Sequence, residues 1–272
     1  MAEAALVART RSPITINSLA AQLNEMGLMQ GDTVLVHTSL SSLGWVNGGP
    51  VAVVEALMKT VGEQGTIIMP SQSGNLTDPA NWSQPPVPKD WVQTIRGTMP
   101  VYDPRTTPTS SMGRVVEVFR TWPGALRSGH PTTSFVARGP FAASLMADHR
   151  LEDPLGETSP LGKIYRLNRV KILLIGVGFD RCTALHLAEC RRWPDRPKTL
   201  QGAPMLVNGK REWVQYEILQ ELSNEAFLSA GASAIASGMA RVGKLGEGQG
   251  TVVNMRELVD HAVGIWPDNY ST

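Results

Sequence analysis

Residues 31–70, GDTVLVHTSLSSLGWVNGGPVAVVEALMKTVGEQGTIIMP, decide the fold. GDTVLVH reads as a buried strand. PVAVVEALMKTV (50–61) repeats apolar residues at Val53, Val54, Leu57 and Val61, the spacing of one helix face, with Pro50 at the helix start. GTIIMP (65–70) is a second short strand. Strand, helix and strand in that order form the crossover unit from which parallel sheets are built, because parallel strands need a long connection.

The flanking sequence extends this unit. Upstream, Thr15 or Asn17 is placed to cap a helix over SLAAQLNEMG, where Leu19, Leu23 and Met26 recur at helical spacing before Gly27 stops it. Residues 1–14 are expected to form a flexible N-terminus. Residues 70–110 are rich in Pro, Ser, Thr, Asp and Trp and nearly without periodicity, and read as a long loop retained for function, part of a binding cleft. SMGRVVEVFRTW (111–122) and GPFAASLMADH (139–149) read as helices and TTSFVA (132–137) as a strand. KILLIGVG (171–178) is a continuous buried strand leading into the helix TALHLAECRRW (183–193).

Further on, PMLVNGKREWVQY (204–216) sets Asn208-Gly209 between alternating runs, the signature of a two-residue hairpin turn. A helix over EILQELSNEAFLSAG (217–231) and a final strand and helix in TVVNMRELVDHAV (251–263) follow. The expected fold is α/β: a mixed, largely parallel central sheet flanked by helices, with an antiparallel hairpin element in the C-terminal part. Residues 15–272 are expected to form a single domain, the hairpin and helices from about 196 making an appended lobe.

The chain has 272 residues, 42% of them hydrophobic and 18% charged, enough to bury a sizeable core. Lys and Arg number 25 against 24 Asp and Glu, so no overall field favours nucleic acid or an acidic membrane surface. The N-terminal segment MAEAALVARTRSP has no apolar run of signal-peptide length, and nowhere does the sequence approach the roughly 20 apolar residues of a membrane span, which points to a cytoplasmic protein. Cys182 and Cys190 lie eight apart in a helical segment, about 12 Å from each other, too far for a disulfide.

Chemistry concentrates in ILLIGVGFDRCTALHLAE (172–189), where a buried strand runs through a glycine-containing turn into a helix bearing His186. Ligands bind at the carboxyl edge of such sheets, and a histidine titrates near neutrality, which suits it to proton transfer. Glu189, three residues on, shares its helical face and is placed to polarise the ring. A core histidine between Leu185 and Leu187 fits the same residues equally well. Cys182 at i−4 is an alternative nucleophile. A metal bound by Cys182, His186 and Cys190 is disfavoured, because ligands eight apart on one helix splay too widely. GVG lacks the remainder of a dinucleotide fingerprint.

A second segment, GDTVLVHTSLSSLG, ends its strand at His37 and opens into a hydroxyl- and glycine-containing turn that can offer donors to a phosphate or an amide-rich ligand. An ordinary polar loop reads the same way. A third, RTWPGALRSGHPTTS (120–134), brings together Arg120, Arg127 and His130, whose arginines suit phosphate or simple solvation.

Taken in order, VHTSLSSLG, GTIIMPSQS, DPRTTP around Asp103, SSMGRVVEVFRTWPGALRSGHPTTSFVARG, GETSPLGKIY and LLIGVGFDRCTALHLAE resemble the aminoglycoside 3-N-acetyltransferases, across roughly residues 15–260. The resemblance implies acetyl-CoA as co-substrate, a cationic aminoglycoside as acceptor, no metal, and an antibiotic-resistance activity. It makes His186 the general base, Glu117 the preferred carboxylate orienting it with Glu189 as the alternative, and His37 the family's strand-end histidine. It places Thr38, Ser39, Leu40, Ser41 and Ser42, then Ser111, Met112 and Gly113, then Arg127, Ser128 and His130 near coenzyme A. A polycationic acceptor calls for acidic neighbours, for which Asp78, Asp103 and Asp180 are the choices, although Asp before Pro at 78 and 103 also forms turns. The chain departs from the family at Cys182, where asparagine is commoner before the threonine. Another small amine as acceptor, a Cys/His hydrolase, or a module that binds coenzyme A without turnover are the competing readings. The oligomeric state stays open, a homodimer being one option.

Overall fold

The computed structural model describes residues 3–220, 222 and 225–269. Its strands are β1 (Thr33–Thr38), β2 (Thr66–Pro70), β3 (Leu126–Arg127), β4 (Phe135–Arg138), β5 (Val170–Ile175), β6 (Lys198–Val207), β7 (Lys210–Leu219), β8 (Arg241–Leu245) and β9 (Gly248–Asn254). The helices are α1 (Glu3–Arg9), α2 (Ile16–Glu25), α3 (Gly49–Val61), α4 (Val92–Thr98) and α5 (Arg114–Phe119). They continue with α6 (Ala142–Met146), α7 (Pro160–Tyr165), α8 (Ala184–Arg192), α9 (Glu225–Ala236) and α10 (Met255–Ile265).

Seven strands form one sheet in the order β3-β4-β2-β1-β5-β9-β8, mixed as expected. Its centre is parallel, β1 pairing with β2 on one side and β5 on the other, and the flanking pairings are antiparallel. The central strands are apolar on both faces because each face has its own core. Leu35, Ile68, Ile172 and Leu174 face the layer of α6 to α10. Val34, Val36, Ile67, Met69, Leu173 and Ile175 face the layer of α2, α3 and α5. Period-2 alternation thus divides one continuous apolar run between two cores.

Thr15 caps α2 in a reciprocal box with Ser18. In the segment expected to be loose, Glu3–Arg9 is helical, Arg9 donates to the Ser41 carbonyl, and Ile14 bridges to Val46. Residues 70–110, read as a loop without periodicity, contain short 3-10 turns and the helix α4, which buries none of its residues and so carries no apolar stripe.

The hairpin β6–β7 forms a separate two-stranded sheet, with the turn at Asn208-Gly209. It braces the long segment: Tyr102 N–H donates to the Pro204 carbonyl, Asn81 Nδ2 to Leu200, and Arg211 to Met99. One expectation changes here. Of the helix foreseen over 217–231, Glu217, Ile218 and Leu219 instead complete β7 opposite Leu200, Thr199 and Lys198, residues 221, 223 and 224 lie outside the described residues, and the stretch from Glu225 is helical. β9 pairs with β5 and α10 packs on α8, which ties these C-terminal elements to the main sheet. Among the described residues no helix is long and apolar enough to cross a membrane.

Candidate active site

Because β1, β2 and β5 run parallel, His37, Thr38, Pro70 and Ile175 end at one edge of the sheet. The segments leaving that edge enclose a cavity of about 350 Å³ with His37, Thr38, Gln72, Ser111, Met112 and Thr183 in its walls. Val177 and Arg181, from the turn between β5 and α8, complete one side. That turn depends on Gly176: its φ is +61°, and a Cβ there would lie 1.6 Å from Ser42 Oγ. Ser42 Oγ is itself bonded to the Ser39 carbonyl, so the turn after β1 and the turn after β5 are packed as a unit.

His186 lies in the first turn of α8, three residues beyond Thr183. Its Nδ1 is 2.7 Å from Oε2 of Glu189, the i,i+3 neighbour anticipated from spacing. Glu189 is fully buried, and its Oε1 has no partner among the described residues, so its hydrogen bonding is directed at the ring. A carboxylate only accepts; Nδ1 therefore carries the proton, and the neutral ring presents the lone pair of Nε2. Phe227 meets the ring edge-on at 4.9 Å, which fixes its plane. His186 also borders a small opening of about 20 Å³ with Glu152, Asp153, Cys190 and Arg196.

Glu117 does not orient His186. Its carboxylate is bonded to Arg120 and to the backbone and hydroxyl of Thr109. Arg120, opposed in part by burial and aided by Thr109, holds Glu117 down to about 2. It ties α5 to the end of the long segment, a fastening role that its place in GRVVEVFR does not disclose.

The three segments assigned to coenzyme A part company. Thr38, Ser111 and Met112 line the cavity, and Gly113, at φ 86°, starts α5 beside the Thr38 carbonyl. Ser39, Ser41 and Ser42 form the adjoining 3-10 turn, while Leu40 faces a neighbouring cavity of about 400 Å³ with Gly48, Pro50 and Arg114. Arg127, Ser128 and His130 are instead committed internally. Arg127 donates to the Ser71 and Thr107 carbonyls and to the hydroxyls of Ser71, Ser73 and Ser134. Ser128 Oγ bonds His149 Nδ1 and accepts from the Phe135 N–H, and Tyr102 donates to the Ser128 carbonyl. His130 accepts from the Thr133 N–H and lies 4.8 Å from the His149 ring.

Burial, and for His130 the nearby His149, push these two rings down to about 3 for His130 and about 4 for His149. A histidine whose folded pKa is depressed binds fewer protons folded than unfolded, so stability is lost as pH falls from about 6.5 toward the folded values. The melting temperature should therefore decline as pH drops below about 6.5, before the ordinary carboxylate range is reached. His149→Gln should flatten that slope in thermal melts across the pH series; an unchanged slope would exclude this origin.

The acidic residues chosen for the acceptor are dispersed. Asp78 is buried, accepts from the Ala80 N–H and is paired with Arg96 at 2.7 Å. Asp103 is bonded to the backbone and side chain of Arg105 in the turn its proline announces. Asp180 pairs with Arg181 at 3.1 Å beside the cavity. Sequence reading missed Gln72 and Thr183 in the cavity wall, and Glu152 and Asp153, which share the small opening with His186. Gln72 follows a strand at the ligand-binding edge, a position that signals it; the 152–153 pair comes near only through folding. A larger cleft, about 520 Å³ at the far end of α8, has its two arginines engaged, Arg192 with Asp268 and Arg196 with backbone carbonyls.

Cys182 is a buried free thiol, pushed up to about 12 by its surroundings. A nucleophile must be a thiolate, and this one is protonated at neutral pH. Cys182→Ala should keep kcat within about threefold of wild type, and Cys182 should resist iodoacetamide in the native protein. Loss of activity in that variant together with native alkylation would restore the covalent route.

The model of the family described as aminoglycoside 3-N-acetyltransferase matches residues 35–266. The chain is 46% identical over 258 residues to the prophage-derived aminoglycoside N(3')-acetyltransferase-like protein YokD of Bacillus subtilis, covering 94% of each. It is 35% identical to aminoglycoside N(3)-acetyltransferase VII of Streptomyces paromomycinus, covering 97% of this chain and 95% of the relative. The crystal structure of YokD superposes with a TM-score of 0.91 over 95% of both chains. That of AAC-IIIb with CoASH, 31% identical, gives 0.82 over 93% of this chain and 96% of that one. The chain belongs to the aminoglycoside 3-N-acetyltransferase family and is an acyltransferase.

Proposed function

We propose that this protein transfers the acetyl group of acetyl-CoA to the 3-amino group of an aminoglycoside, with His186 as general base. The observation that carries the proposal is the His186–Glu189 pair, 2.7 Å apart, one helical turn beyond Thr183 in the wall of the cavity at the carboxyl edge of the sheet. A bound relative holds CoASH, and a second relative is named for N(3) acetylation of aminoglycosides.

The acceptor arrives as an ammonium ion and must lose a proton before its nitrogen can attack. One ammonium proton is released to solvent, Nε2 of His186 takes a second from the nitrogen as the N–C bond forms at the thioester carbonyl carbon, and the C–S bond breaks as the carbonyl is restored. The thiolate of coenzyme A leaves and takes up the proton held by the ring. Glu189 keeps Nδ1–H in place and balances the imidazolium. With Cys182 protonated and buried, transfer is direct and forms no acyl-enzyme.

The test is to incubate the protein with acetyl-CoA and a panel of aminoglycosides and to locate any new acetamide by NMR. Acetylation at the 3-amino group is expected. Thiol release without added amine would indicate a hydrolase, and acetylation of other amines but no aminoglycoside would replace the acceptor.

A further inference from the structure

His37 Nε2 and Thr38 Oγ1 are buried without a hydrogen-bond partner among the described residues, and both residues line the cavity of about 350 Å³. A buried polar atom left unbonded costs on the order of 1–3 kcal/mol, and native structures keep few of them. Such an atom in a residue that lines a substrate cavity is explained when the substrate supplies the missing partner.

The two side chains point to opposite faces of the sheet. His37 shares the face of Leu35 and, across the register, of Leu174, which is the face covered by α8. It therefore lies toward His186, close enough for the two rings to interact electrostatically. Thr38 shares the face of Val34 and Val36, covered by α2, α3 and α5.

We propose that His37 is a second catalytic residue, a neutral imidazole that donates a ring N–H to the thioester carbonyl oxygen of acetyl-CoA and stabilises the oxyanion formed when the amine adds. The inference rests on the acetyl-transfer reading above. As the N–C bond forms, the carbonyl electron pair moves onto oxygen and is held by this N–H. When the C–S bond breaks the pair returns, and the proton of His37 never leaves its ring. Burial first, and the neighbouring His186 second, push His37 down to about 3, so it stays neutral while His186 carries the proton of the amine. A ring so reluctant to be protonated is a poor base but a steady donor, whose effect is greatest where charge develops in a water-poor site.

The test compares wild type with His37→Phe, His37→Leu, His37→Gln and Thr38→Val, using variants that melt within a few degrees of wild type. In His37→Phe or His37→Leu, kcat should fall about 10²–10³-fold while KM for acetyl-CoA changes little. His37→Gln, which restores a donor, should recover part of that loss. Isotope-edited infrared spectra of acetyl-CoA carrying ¹³C at the thioester carbonyl give a readout independent of turnover. The bound carbonyl should absorb at lower frequency than in solution in wild type, and return toward the solution value without the His37 donor.

A wild-type carbonyl at the solution frequency would overturn the proposal whatever the variants do. So would a shift abolished by Thr38→Val but retained in a His37 variant, or kcat within about threefold of wild type in His37→Phe or His37→Leu. Failure of the acetyl-transfer reading is seen separately, as wild type that neither binds acetyl-CoA nor acetylates any amine.

Discussion

His186→Ala should lower kcat for acetyl transfer by about 10²–10⁴-fold and leave KM for acetyl-CoA close to wild type. The size follows from what is removed. A positioned general base contributes about that factor, roughly 3–5.5 kcal/mol of barrier, and water in the space left by the ring is a weaker, unoriented acceptor. The ring is one-sixth exposed, so its removal leaves a modest void: its side chain retains 16% relative exposure. The loss should thus appear in chemistry more than in folding, although Glu189 becomes a buried carboxylate without its partner. Glu189→Gln should fall between the variant and wild type, because an amide at that position no longer enforces the useful tautomer. Steady-state kinetics with the melting temperature of each variant separate the two effects.

Arg127→Leu should destabilise the fold by about 3 kcal/mol or more, because hydrogen bonds to a charged group contribute roughly 1.5–3 kcal/mol each and buried acceptors lose their partner. Arg127 joins three pieces of chain: Ser71 and Ser73 after β2, Thr107 near the end of the long segment, and Ser134 before β4. Its guanidinium also lies 5.3 Å from the Tyr102 ring. Gln72, a wall of the cavity, sits between two of its partners, so activity should fall with stability. Denaturant unfolding measures the first effect. A midpoint unchanged from wild type, with weakened acetyl-CoA binding, would return Arg127 to the surface role suggested by its neighbours in sequence.

The β1–α3–β2 unit and β5–α8 were legible because their apolar residues carry unmixed periods and fill both faces of the sheet. β8 was not: RVGKL buries only Leu245, as suits a short edge strand. The stretch 217–219 read as helix because Ile218, Leu219 and Leu222 mimic helical spacing, and pairing with β6 decided otherwise. In the site, Glu189 was readable because one helical turn fixes its distance from His186. Glu117 was not, since its partner Thr109 belongs to the long segment, whose course no local rule sets. The same reason hid the internal bonding of Arg127, the burial of His130 and the opening that Glu152 shares with His186.

The most direct measurement is the initial rate of thiol release from acetyl-CoA by wild type and His186→Ala, each with and without an aminoglycoside. The account predicts release that requires the aminoglycoside in wild type and falls at least about a hundredfold in the variant. Equal rates for the two proteins, or release that ignores the acceptor, would contradict it.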